Sequence, residues 1–260
     1  MKKILFMLLL ISLIISGCSI DKTVDDNIGK AVSDAILTDN EEGYLSGECR
    51  GEGHIILKTE EKNDIVIVYA QTMYGEYGFQ NDNFVKISGS GNIPAVIEFK
   101  KKNNKLSLYS FKYPKDGADY VKSIKEMFPL TLQTKVLYPS DKDLEELSKQ
   151  ERVYAQNYLK SIGREAKIGD YGDFEHNLLT DVGVPVEVSN KILKYKELSK
   201  YPDYIGTQEF IENGERCIYR TSYNKEENKV IFSKIGPPKE SSAYAEYYEV
   251  DGTTGELLKK

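Results

Sequence analysis

Apolar positions recur at two different periods along the chain, and the switches between them mark its elements. From Tyr44 to Tyr113 apolar stretches fall at 55–57, 65–70, 84–87, 95–99 and 106–111. Short polar turns separate them: Glu61-Lys62-Asn63-Asp64, Asn81-Asp82-Asn83, Gly89-Ser90-Gly91-Asn92 and Lys102-Asn103-Asn104. Such close spacing predicts an antiparallel meander, because parallel strands need crossover connections that are missing there. Ahead of it, Ile28, Val32, Ala35 and Ile36 follow at helical spacing, with Asp25 and Asp26 as N-cap candidates and a break at 39–43.

A helical block follows the meander. A short helix is predicted over Asp119–Met127, stopping at Phe128-Pro129. A longer one, capped by Asp141 or Asp143, carries Leu144, Leu147, Glu151, Tyr154, Tyr158 and Ile162 at intervals of three and four. All but Glu151 are apolar, so the stripe faces a core, and Gly163 sits where a C′ glycine belongs. The last hundred residues repeat the theme. Pro185 to Leu198 places Val188, Ile192, Tyr195 and Leu198 on one helical face. Asn213-Gly214 between Phe210-Ile211 and Cys217-Ile218-Tyr219 signals a type I′ hairpin. Strands near 229–235 and 243–250 precede a turn at Asp251-Gly252. The fold class is therefore α+β: an antiparallel meander sheet with packed helices, then a smaller helix-plus-antiparallel-strands unit. Gly163, Gly169 and Gly172 put a boundary near 164–175, which divides the chain into units 41–165 and 166–260.

The N-terminus changes where this body must work. Lys2 and Lys3 precede an apolar run from Ile4 to Ile15 broken only by Ser12, and Ser16-Gly17-Cys18 closes it. The run is shorter than the roughly 20 residues that span a bilayer and has the form of a secretory signal. Ile15-Ser16-Gly17-Cys18 resembles the bacterial lipoprotein lipobox. That resemblance implies cleavage between Gly17 and Cys18, diacylation of the Cys18 sulfur, and a chain tethered on the extracytoplasmic face of the cell membrane. Residues 1–17 then form the signal peptide, and 18–40 a tether and short helix.

Cleavage leaves 243 residues and, with Lys2 and Lys3 lost, moves the formal charge from -6 to -8. An acidic mature chain argues against a nucleic-acid partner and gives the lipid no polybasic support. Abundant Lys, Ile, Asn and Tyr suit an AT-rich, Gram-positive source. Cys49 and Cys217 are an even pair in an exported chain, so they could form a disulfide. Two separate buried thiols are the favoured alternative, since the body is large enough to fold without a staple.

The search for chemistry yields little that is specific. Only His54 and His176 exist, neither in a His-Glu-x-x-His helix, so no metal site is expected. No nucleophile elbow accompanies either histidine. Ser19…Lys22 and Ser222…Lys225 match Ser-x-x-Lys but fall in a tether and a turn, and phosphate-loop and dinucleotide fingerprints are missing, so no cofactor is expected. Asp170 to His176 offers oxygen ligands without calcium-loop spacing and reads as an acidic loop. Glu48, Arg50, Glu52 and His54 fall at period two and would share one strand face as a candidate ligand-binding set. A solvated, internally paired face is the plainer reading. Gly51 and Gly53 on the opposite face would admit another backbone or a ligand.

Several strings occur in familiar combination: Ser46-Gly47-Glu48-Cys49-Arg50-Gly51-Glu52-Gly53-His54, Tyr74-Gly75-Glu76-Tyr77-Gly78-Phe79, Ser88-Gly89-Ser90-Gly91, Met127-Phe128-Pro129, Ser161-Ile162-Gly163-Arg164-Glu165-Ala166 and Tyr201-Pro202-Asp203-Tyr204-Ile205-Gly206. Over residues 26–255 the series resembles the extracytoplasmic C-terminal portion of Gram-positive membrane metallopeptidases of the beta-lactam sensor-transducer (antirepressor) class. The membrane helices, zinc-protease motif and acylatable serine of that class are missing. The resemblance thus implies a sensor-like module issued alone on a lipid anchor, binding an envelope ligand or a membrane protein, with no catalytic residues assigned. The alternatives are an envelope hydrolase with a carboxylate pair drawn from Glu48, Glu52 or Glu76, and an accessory or inhibitory subunit of a membrane peptidase or transporter.

Overall fold

A computed structural model describes the backbone of residues 22–103, 105–236 and 246–259, with side chains from residue 27 onward. Gly17, Cys18 and the signal segment lie outside the described residues. The α+β architecture expected from the pattern is present, with helices packed on an open sheet that is antiparallel at all but one pairing.

The sheet is organised around one long strand. Helix α1 (Lys22–Asp39) leads into β1 (Cys49–Lys62), which pairs with β2 (Ile65–Gln80) along almost its whole length. The other edge of β2 is shared. Residues 65–72 pair with β4 (Ile93–Lys102), and residues 75–80 pair with β3 (Asn83–Gly89). β5 (Lys105–Lys112) pairs with β4. At its far end Gln80 pairs with Gln208 of β7 (Gly206–Glu212), which opens a second meander of β8 (Glu215–Asn224), β9 (Lys229–Ile235), β10 (Glu246–Asp251) and β11 (Leu257–Lys259).

Both faces of β2 are buried, and alternate residues serve different helices. Val66, Val68, Ala70 and Tyr74 pack with Val32, Ala35 and Ile36 of α1. On the opposite face Tyr69 meets Ile124 and Phe128, contributed by α2 (Tyr120–Met127) and its cap, and Val136 of α3 (Leu130–Leu137). Farther along, Tyr77 and Phe79 pack with Phe84 and with Ala155 and Leu159 of α4 (Asp141–Ser161). The second meander has its own core, built on Val188 and Ile192 of α5 (Val186–Ile192) against Cys217, Tyr219, Val230 and Phe232.

Several expectations are corrected. α1 is described from Lys22 onward, so Asp25 and Asp26 lie within its helical backbone and not ahead of it. Ser140, not Asp141 or Asp143, caps α4, its hydroxyl accepting the Asp143 amide at 3.2 Å. Pro129 ends α2 but stands at the N-cap of α3, a position that needs no helical amide, so the helical block resumes at once. One parallel pairing exists: β6 (Ile168–Asp170) lies against β3, reached through the long α2–α4 connection. Ala166 and Ile168 pack with the first unit's core. The Asn213-Gly214 hairpin has both central residues at positive φ, 51° and 81°, as a type I′ turn requires.

α4 approaches β1 more closely than side chains would allow. A Cβ on Gly51 would fall 2.6 Å from the Glu151 carbonyl oxygen, and one on Gly53 would collide with the Leu147 carbonyl. The two glycines therefore admit the backbone of a helix. Gly53→Ala should cost about 1–3 kcal/mol of stability by forcing α4 off the sheet. Gly91→Ala, which meets nothing within 4 Å, should stay within about 0.5 kcal/mol. Urea titrations of the two variants check the contrast.

Candidate functional site

The close seating of α4 on β1 creates a seam of buried carboxylates matched with tyrosine hydroxyls, cations or both. Glu151, the one polar residue in the α4 stripe, is 1 % exposed. Its carboxylate accepts from Tyr77 Oη at 2.7 Å and from Lys86 Nζ at 2.8 Å, and Lys86 also donates to the Ser90 carbonyl. Burial pushes the Glu151 carboxyl above its ordinary range, although Lys86 and Tyr77 pull the other way. Gly75 leaves room for this carboxylate on β2, since a Cβ there would collide with Glu151 Oε1.

The four period-two residues at the start of β1, with Glu48 just ahead of it, do not converge on one ligand. Glu52 is buried and accepts from Tyr154 Oη at 3.0 Å, while its other oxygen lies 3.0 Å from His54 Nδ1. Tyr154 reaches on to Ser33 of α1 at 2.8 Å. Arg50 turns outward to Glu41 at 2.9 Å. Glu48 points to the second meander, pairing with Arg216 at 2.6 and 2.8 Å and accepting from Tyr158 at 2.9 Å. On β2, Glu76 accepts from Tyr74 Oη and, at 2.8 Å, from the Gly47 amide. Glu48, Glu52 and Glu76, the sequence candidates for a carboxylate pair, are thus all engaged by protein partners.

Arg216 also joins the densest part of the seam. It donates to Glu209 at 2.8 Å, and Arg164 grips the same carboxylate with two nitrogens at 2.7 Å each. Both guanidiniums lie over the Phe79 ring, at 3.6 Å for Arg164 and 4.9 Å for Arg216. Burial works to raise the Glu209 carboxyl, but hydrogen bonds and charge from both arginines outweigh it and hold it below the ordinary range. This clamp sits beside the narrow sheet junction at Gln80–Gln208, which Asn81 reinforces with two hydrogen bonds to the Thr207 backbone. Among the clamp residues the sequence offered only Glu48 as a candidate site residue, while Phe79 and Arg164 stood only within the strings of the resemblance. Arg164 and Glu209 lie in a loop and a strand with no pattern that couples them. Glu151 did carry a signal, as a polar residue within an apolar stripe.

The acidic loop is tied rather than open. Asp173 caps the Asp170 amide, and Arg152 sits 3.1 Å from Asp170 and 4.0 Å from Asp173. No group of three or more metal-ligating side chains occurs among the described residues. His176 stacks on Tyr171 with ring centroids 3.9 Å apart and hydrogen-bonds Gln80, as part of the packing at the junction. A surface concavity of about 690 Å³ follows the exposed side of α4 and is lined by that helix alone. A smaller groove of about 270 Å³ lies between α1 and β5.

Cys49 and Cys217 are free thiols, which corrects the disulfide alternative: each belongs to a different hydrophobic cluster. Burial, with Glu76 and Glu48 adding repulsion, pushes the Cys49 thiol up to about 12. No family model, curated protein or solved structure matches the chain. No helix among the described residues is long and apolar enough to cross a membrane.

Two outcomes are expected. Glu209→Gln should cost about 3 kcal/mol at pH 7, because it strips the shared anion from two arginines. The wild-type advantage exists above the unfolded carboxyl range and is lost as pH falls through the depressed folded value. Urea denaturation at pH 7 and pH 3 should therefore show the gap closing in acid. Separately, Cys49 and Cys217 should resist iodoacetamide at pH 8 in the native protein and both react after denaturation without reductant, as read by mass spectrometry.

Proposed function

We propose that the chain is a lipid-anchored, extracytoplasmic, non-catalytic binding or sensor-like protein of the cell envelope. The observation that carries this reading is the sequence Ile15-Ser16-Gly17-Cys18 closing a charged-then-apolar leader. Two further points support it. The buried carboxylates serve as structural partners of Tyr, Lys and Arg side chains across β1, β2, β3, α4 and β8. Among the strings that resemble the antirepressor-class ectodomain, those holding Gly51, Gly53, Gly75 and Arg164 fall on this seam. The resemblance therefore concerns how the body is built, and its sensor-like role is carried over on that basis.

The test is lipid labelling in a Gram-positive host. The wild-type chain should take up radiolabelled palmitate and sediment with membranes. Cys18→Ala should lose the label and leave the chain soluble or uncleaved. Persistent acyl labelling of the variant would overturn the anchor. Purified mature protein should bind envelope fragments or a membrane protein saturably without turning them over. Robust hydrolysis abolished by one point change would overturn the non-catalytic reading.

A further inference from the structure

β5 is an edge strand: among the described residues it pairs only with β4, so the outward backbone groups of Lys105–Lys112 have no strand partner. Long exposed edges invite pairing with another chain. This edge is flanked by a groove rather than by open solvent. Ala31 and Ala35 of α1, beside the Lys30–Asp34 ion pair, form one wall, Phe99 the floor, and Leu106 and Leu108 of β5 the other wall. At about 270 Å³ the groove is below the range of compact small-molecule pockets, yet it has room for a few apolar side chains. Leu108, 43 % exposed, lacks a covering neighbour.

The opposite face of the same hairpin is basic. Lys102 stands directly across from Lys105 and Lys100 across from Ser107, which puts the three lysines on one face. Lys100 lies over the ring of Tyr109 at 4.4 Å. No counter-ion is paired with Lys100, Lys102 or Lys105 among the described residues, whereas Lys101 is held by Glu61 and Lys112 by Glu98. Like charges directly opposite one another destabilise a ladder, so an incoming carboxylate on this face would relieve Lys102 and Lys105.

From these two faces we infer that the β5 edge is a docking site for an extended peptide that adds a strand to the sheet. Its apolar side chains would enter the α1–β5 groove, and alternating acidic side chains would meet Lys100, Lys102 and Lys105. Backbone hydrogen bonds supply the pairing, and the two faces supply selectivity. The inference rests on the reading of the chain as a binding module and gives it a partner class: an alternating apolar–acidic protein segment.

The probe is an acetylated peptide of eight residues, the length of β5, alternating valine and glutamate, offered to the mature protein at low salt. Saturable binding is expected, with slowed hydrogen exchange confined to β5 amides. The lysine-for-glutamate peptide and one N-methylated at alternate amides should each bind at least about tenfold more weakly. Ala31→Arg, which fills the groove from the helix surface, should weaken binding by a similar factor. Lys102→Glu/Lys105→Glu, at exposed positions, should do so with the fold unchanged. Equal binding of all three peptides, protection away from β5, or no binding would overturn the proposal, the last meaning that the lysines only guard the edge. These readouts are independent of acylation at Cys18, so failure here and failure of the anchor are distinguishable.

Discussion

The seating of α4 against β1 is the constraint on which the rest of the body depends. Contact between a helix backbone and a strand is possible only where the strand has no side chains, and Gly51 and Gly53 provide two such positions on one face of β1. Once α4 is there, the polar groups on its inner face must be satisfied by protein partners. Glu151 must find Tyr77 and Lys86, while Tyr154 and Tyr158 must find Glu52 and Glu48. A partly satisfied buried network is costlier than an apolar one, so the seam has to be completed in full. The glycines of β1 and the tyrosines of α4 are therefore one structural decision, although a hundred residues separate them.

The same logic explains how the second meander is held. Its backbone link to the first unit is narrow, and two arginines from separate segments converge on Glu209 above Phe79. Ion pairs of this kind add modest net stability, because desolvation offsets much of the attraction. Their geometry is demanding, however, and Glu48 can meet Arg216 only when the two meanders are in register. The clamp thus acts more on the relative placement of the two meanders than on the total free energy of folding.

Local elements were legible in the sequence wherever one residue type decided the backbone. Gly163, at φ 64°, ends α4, and Asn213-Gly214 makes the hairpin where expected. The run from Tyr74 to Gln80 was not legible as strand. Its two glycines and a glutamate resemble a turn, but Gly75 is small because Glu151 presses on it and Gly78 because Ile87 does. Those neighbours are distant in sequence, and no local pattern reports them. The candidate face of β1 alternates as its spacing implied, and its side chains pair internally, as in the plainer of the two readings. Glu48, Glu52 and His54 are spent on packing partners that only the tertiary structure supplies, and Arg50 alone faces outward.

A body whose buried charges are committed internally must recognise partners with what is left on its surface. What is left includes, among the described residues, an unpaired strand edge with a groove floored by Phe99 on one side and lysines without counter-ions on the other. An edge reads backbone first, so its selectivity must come from side-chain alternation rather than from an enclosed pocket. Recognition of that kind is modest in affinity and gains from a high local concentration. Confining both partners near one membrane surface raises that concentration without any new contact. If Cys18 carries the proposed lipid, anchor and β5 edge would act together, the first bringing the module near extended segments of its neighbours and the second choosing among them.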